Sequence, residues 1–88
     1  MQIEVFGKDD CIKCDEAKSV LNKLLEENSL KDKVQFRYFD MESVDGMAEG
    51  AFNDVLKIPT ILINDQDKNL ARWDGNVPQA SEISTYLQ

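Results

Sequence analysis

Two cysteines three residues apart, set where a strand-like stretch meets a helix-like one, constrain this chain more than any other feature. Cys11-Ile12-Lys13-Cys14 contains both of its cysteines. Upstream, Gln2 to Phe6 alternates polar and apolar residues, which predicts a strand ended by Gly7. Downstream, Ala17, Val20, Leu21, Leu24 and Leu25 recur at helical spacing, predicting one buried face with charged residues opposite. Asp10 is the expected N-cap and Asn28-Ser29 the expected end. A fold for this chain must therefore place the thiol pair on the first turn of a helix that follows a strand.

That placement has chemical consequences. Residues i and i+3 on a helical turn have Cβ atoms about 5–6 Å apart, within a small adjustment of disulfide geometry. Free N–H groups and the macrodipole at a helix N-terminus favour a thiolate at Cys11, as does the nearby charge of Lys13. Asp9, Asp10, Asp15 and Glu16 oppose it. Cys14, one turn in, is expected to lie deeper against the strand. Cys11 is then the attacking nucleophile and Cys14 the resolving thiol.

The rest of the chain supplies a frame. Val34, Phe36 and Tyr38 alternate with polar residues as a second strand. Val44, Met47, Ala48, Ala51, Phe52, Val55 and Leu56 fit a second helix, with Ser43 as N-cap. Met47, Phe52 and Val55 are expected in the core, and Gly46 and Gly50 are expected to weaken the helix by about 0.5–1 kcal/mol each. Pro59 breaks the pattern. Thr60 to Ile63 reads as a strand covered on both faces. A polar turn at Asn64–Lys68 leads to a fourth strand, Leu70–Trp73, paired with it as a hairpin. After a turn at Asp74-Gly75-Asn76, Pro78 is expected to open a last helix reaching about Leu87. The order β-α-β-α-β-β-α in 88 residues predicts a single α/β domain over residues 1–88, a four-stranded mixed sheet flanked by three helices.

Composition excludes several roles. Acidic residues outnumber basic ones 17 to 10, a net charge of -7. Nucleic-acid affinity comes largely from neutralising phosphates, so that partner is disfavoured. Anionic membrane surfaces are disfavoured for the same reason, and no stretch approaches the roughly 20 apolar residues of a membrane span. The first residues carry no basic and apolar leader, so a cytoplasmic protein is expected, as is a monomer. A structural zinc site wants four ligands, and the chain has no histidine and no third cysteine. Carboxylates could complete such a site. An iron–sulfur cluster would need two chains to share it, and two inert buried cysteines are the remaining alternative.

The strand–CxxC–helix start, the isolated Ile58-Pro59-Thr60 ahead of a strand, and the Gly75 turn before the last helix together resemble the thioredoxin and glutaredoxin superfamily. The resemblance covers the whole chain and implies the thioredoxin fold. It implies a cis peptide bond before Pro59, whose backbone would pair with a substrate chain, and a flanking role for Ile58 and Thr60. The strand beginning almost at Met1 is similar to a glutaredoxin. Lys8, three residues before Cys11, is similar to the glutaredoxin lysine that meets a glutathione carboxylate, and Gly75 to the glycine turn beside that ligand. The chain departs from the family at Ile12-Lys13, where dithiol glutaredoxins carry Pro-Tyr and thioredoxins Gly-Pro. It departs again at Gly75-Asn76-Val77-Pro78, which lacks the acidic residue that holds the glutathione amino group. Trp73 is expected either in the substrate groove or as packing.

The function this implies is thiol–disulfide exchange on disulfide-containing protein substrates, as a reductase or electron carrier with no bound cofactor. Recycling would come from a thioredoxin-reductase-like flavoprotein or from glutathione, the missing acidic residue favouring the flavoprotein. A redox-gated binding module and metal or cluster carriage by a dimer are the alternatives.

Overall fold

β1, Gln2–Gly7, runs through the middle of the molecule with five of its six residues buried. The computed structural model describes residues 1–87. After β1 come α1 (Ile12–Glu27), β2 (Gln35–Asp40), α2 (Val44–Phe52), β3 (Thr60–Asp65), β4 (Lys68–Asp74) and α3 (Ala80–Ser84). The sheet order is β2-β1-β3-β4. β1 and β2 are parallel, while β1–β3 and β3–β4 are antiparallel. This is the thioredoxin fold, a mixed four-stranded sheet with three helices.

Period-2 alternation sorts the sheet into two faces. Ile3, Val5, Ile61 and Ile63 meet Ala17, Leu21, Leu24 and Leu25 of α1 and Ile83 of α3 in the larger core. The opposite face is thinner. Its buried cluster is Phe6, Val55 and Leu62, with Phe39 and Met41 packed on it. Both faces of β3 are covered, and Thr60 to Ile63 are all buried, as an uninterrupted apolar run requires. No helix among the described residues is long and apolar enough to cross a membrane.

Several expected boundaries are corrected. Asp10 does not cap α1. It has φ 57°, and Cys11 is the N-cap, its sulfur accepting the bond that a carboxylate would have taken. Ser43 does cap α2, its hydroxyl accepting from the Gly46 N–H at 2.9 Å, but the helix ends at Phe52, before Val55 and Leu56. The packing face of α2 is also not the expected one. Gly46 and Gly50 are its buried residues, while Met47 and Phe52 are 50% and 85% exposed. A side chain at Gly46 would collide with the Asp40 carbonyl, so this helix presses its backbone on the β2–α2 turn and turns its apolar stripe to solvent. Val55 is buried as expected, on the loop after the helix. Pro78 does not begin α3. It is buried ahead of it, and Gln79 is the N-cap, its backbone N–H donating to the Glu82 carboxylate at 2.8 Å. This reciprocal pair sets the start of the helix.

Candidate active site

β1 ends and α1 begins around the cysteine pair. Cys11 sits in an extended conformation, φ -120° and ψ 107°, and its carbonyl accepts from the Asp15 N–H at 3.0 Å, starting the helix. Cys11 and Cys14 are joined as a disulfide with a Cα–Cα distance of 5.2 Å. The Cys14 N–H donates to the Cys11 sulfur at 3.1 Å. One of the free donors of the helix N-terminus is thus aimed at the Cys11 sulfur, where it stabilises negative charge once the bridge opens. Cys14 is fully buried and Cys11 is partly exposed. This asymmetry lets an incoming sulfur reach one thiol and not the other.

Gly7 makes the close approach of β1 to the pair possible. A Cβ there would lie 2.6 Å from the Tyr38 hydroxyl and 2.9 Å from the Cys14 sulfur. The strand register brings Pro59 to the same end of the sheet. Phe6 pairs with Thr60, so Pro59 follows opposite the end of β1. The Ile58–Pro59 peptide bond is cis, and the Pro59 carbonyl accepts from the Gly75 N–H at 2.7 Å. The Thr60 hydroxyl donates to the Lys57 carbonyl at 2.6 Å and lies 3.4 Å from the Asp74 carboxylate. Arg72 donates to both Asp74 oxygens, which holds that carboxyl below its ordinary range.

Pro59, Thr60 and Gly75 are therefore tied into one bonded loop cluster, with Ile58 half-buried beside it. Lys8 and Lys13 are exposed and, among the described residues, join no ion pair. Trp73 packs on the larger core, edge-on to Tyr86 at 5.9 Å, so it serves as packing. A shallow apolar groove flanks the start of α1, lined by Ile12, Val20 and Val77 with Asp15 and Glu16 at its rim. Among the described residues no group of three or more metal-ligating side chains forms.

Sequence reasoning missed two residues near this site. Tyr38 reads as ordinary sheet packing, yet its hydroxyl reaches the Cys14 side of Gly7. The parallel pairing of Val5 with Tyr38 is the signal that could have placed it. Lys57 lies over Gly75, its Cδ 3.3 Å from where a Cβ would sit, and nothing in the sequence marks it beyond its place two residues before Pro59.

A family model described as a thioredoxin domain matches residues 1–88. No curated protein sequence matches the chain. Among solved structures, thioredoxin 1 from the thermophilic eubacterium Thermosipho africanus TCF52B superposes with a TM-score of 0.76 at 23% identity, covering 99% of this chain and 94% of that one. Thioredoxin-2 of the malaria parasite gives 0.82 at 16% identity, covering 98% and 79%. Thioredoxin O2 from Arabidopsis thaliana, in its oxidised state, gives 0.78 at 14% identity, covering 98% and 70%. At these identities the likeness is one of fold.

Proposed function

We propose, from the premise that this chain belongs to the thioredoxin-domain family, that it is a disulfide reductase or electron carrier working through Cys11 and Cys14. The observation that carries the reading is the bridged pair at the head of α1, one sulfur accessible and capped by a backbone N–H, the other fully buried. In the reduced protein the Cys11 thiolate attacks one sulfur of a substrate disulfide. A Cys11–substrate disulfide forms and the other substrate sulfur leaves as a thiolate. Cys14, deprotonated, then attacks the Cys11 sulfur, the Cys11–Cys14 bridge forms and the second substrate thiolate departs. Two electrons pass to the substrate, whose thiolates take up protons.

The cis Pro59 and Thr60 are themselves buried, so half-buried Ile58 and Gly75 shape the surface on which an extended substrate chain lies, with the Ile12–Val77 groove taking an apolar side chain. Lys8 and Lys13 supply positive charge at its rim. The donor that fits this site best is a thioredoxin-reductase-like flavoprotein, because Asn76-Val77-Pro78 offers no acidic group to a glutathione amine; glutathione is the alternative. A cytoplasmic monomer is the setting we assign.

A redox titration of the pair by thiol alkylation tests the reading. A reversible two-electron couple between about -120 and -280 mV is expected, and a Cys14→Ser variant should accumulate mixed disulfides on Cys11. No reversible bridge, or adducts on Cys14 in a Cys11→Ser variant alone, would overturn it. A redox-gated binding module is the second reading, favoured by the apolar stripe that α2 shows to solvent at Val44, Met47 and Phe52. Equal partner affinity in oxidised and reduced buffers removes it.

A further inference from the structure

Among the described residues, one buried side-chain polar atom has no hydrogen-bond partner, the hydroxyl of Tyr38. It lies beside the redox pair. Tyr38 stands on β2 opposite Val5, on the face that packs against α1. A side chain at Gly7 would meet its hydroxyl at 2.6 Å and the Cys14 sulfur at 2.9 Å, so oxygen and sulfur flank the same small space over the end of β1. The ring itself is held in place, with the Lys18 Nζ 4.4 Å from its centroid. A fold this small does not leave a hydroxyl buried and unpaired without cost, and a disulfide sulfur is a poor acceptor.

Resting on the thiol–disulfide reading above, we propose that Tyr38 is the hydrogen-bond donor that receives the Cys14 sulfur when the disulfide opens. Reduction turns that sulfur from a bridging atom into a thiol or thiolate, and a thiolate is a strong, charge-assisted acceptor. The partner that Tyr38 lacks in the oxidised protein is therefore created by the reaction. In the resolving step Cys14 gives its proton to solvent, the hydroxyl stabilises the thiolate left behind, and the thiolate attacks the Cys11 sulfur. The Cys11–Cys14 bond forms, the Cys11–substrate bond breaks, and Tyr38 keeps its own proton throughout. It can do so because its ionisation is pushed up, first by burial and then by Asp40 on β2, Asp15 on α1 and Asp9 on the loop before it. Lys18 on α1 is the cation facing it.

Two effects follow for the reaction. Cys14 is more readily deprotonated near neutral pH, and the dithiol is favoured over the disulfide, since only the dithiol satisfies the hydroxyl. Both are tested with Tyr38→Phe, which keeps the ring and its packing and removes the oxygen. Reduced protein is mixed with an equimolar amount of 5,5′-dithiobis(2-nitrobenzoate) in a stopped-flow instrument between pH 5 and 9. The first aromatic thiolate is released by Cys11 and the second by Cys14. We expect the first phase to be unchanged and the second to slow by about tenfold at neutral pH, with its pH midpoint moved upward. Titration against the glutathione couple should shift by about tenfold toward the disulfide, about 30 mV lower. A second phase with the wild-type rate and midpoint overturns the proposal. Absence of both phases in the wild-type protein instead removes the thiol–disulfide reading on which it rests.

Discussion

Glu4 brings a carboxylate into the middle of β1, on the thinner face of the sheet. It is 6% exposed, pairs with Arg37 at 3.5 Å and accepts from the Asn64 amide at 3.2 Å. Burial raises its pKa from 4.5, and Arg37 and Asn64 offset this only in part. A carboxyl whose folded pKa is raised binds its proton more tightly in the native state, so its ionisation weakens the fold as pH rises above 4.5. Glu4→Gln removes that penalty and keeps an acceptor for Asn64. Thermal unfolding should show the variant more stable than wild type at pH 7, the difference shrinking as pH falls toward 4.5. A variant less stable at pH 7 would mean that the Arg37 pair outweighs burial. Residues of this kind are hard to read from sequence, because Glu4 looks like the polar half of a half-buried strand until α2 is known to cover it.

α2 shows what can be read of an element from its pattern and what cannot. The apolar period located the helix and Ser43 its start. The same period placed the wrong face inward, since Val44 and Met47 are exposed and the glycines are buried. Hydrophobic periodicity assumes that side chains make the contact, whereas here close approach of two backbones does. Gly46→Ala should therefore cost more than the about 1–3 kcal/mol of an overpacked core site, because backbone and not a flexible side chain must give way. Val44→Ser should stay within about 0.5 kcal/mol of wild type, as surface changes do. Urea unfolding of the two variants measures both, and the opposite ranking would place the stripe in a buried contact. α1 was legible in nearly full detail because its face is built of leucine and alanine on a regular repeat, and only its cap was misassigned, to Asp10 in place of Cys11. At α3 the Gln79 backbone N–H, held by the Glu82 carboxylate, outweighed the preference of Pro78 for the first turn.

At the scale of the whole molecule, charge is the property most open to test. The net charge of -7 and the acidic residues Asp9, Asp10, Asp15 and Glu16 surround the reactive sulfur with negative potential. A small cationic disulfide such as cystamine should oxidise the reduced protein several-fold faster than a dianionic disulfide of similar size at low ionic strength. The gap should close as the Debye length falls from about 30 Å at 0.01 M to about 3 Å at 1 M salt. Equal rates at both salt concentrations would show that these carboxylates set no field at Cys11. The succession of elements and the β3–β4 hairpin were legible because turn residues and β-branched runs mark them locally, whereas the place of β1 between β2 and β3 rests on pairings distant in sequence. The loop cluster of Pro59, Thr60, Asp74 and Gly75 was legible only as separate pieces, since the bonds that join it span 14 residues or more of chain.

The two sides of the sheet are unequal, and this bears on how the molecule comes apart. The disulfide is anchored on the side where α1 and α3 share a continuous core, while the other side rests on three buried residues and a nine-residue helix. Opening fluctuations begin where the fewest apolar contacts must be broken. α2 is therefore the element expected to open first, and its detachment would leave β1, α1 and the two sulfurs in register.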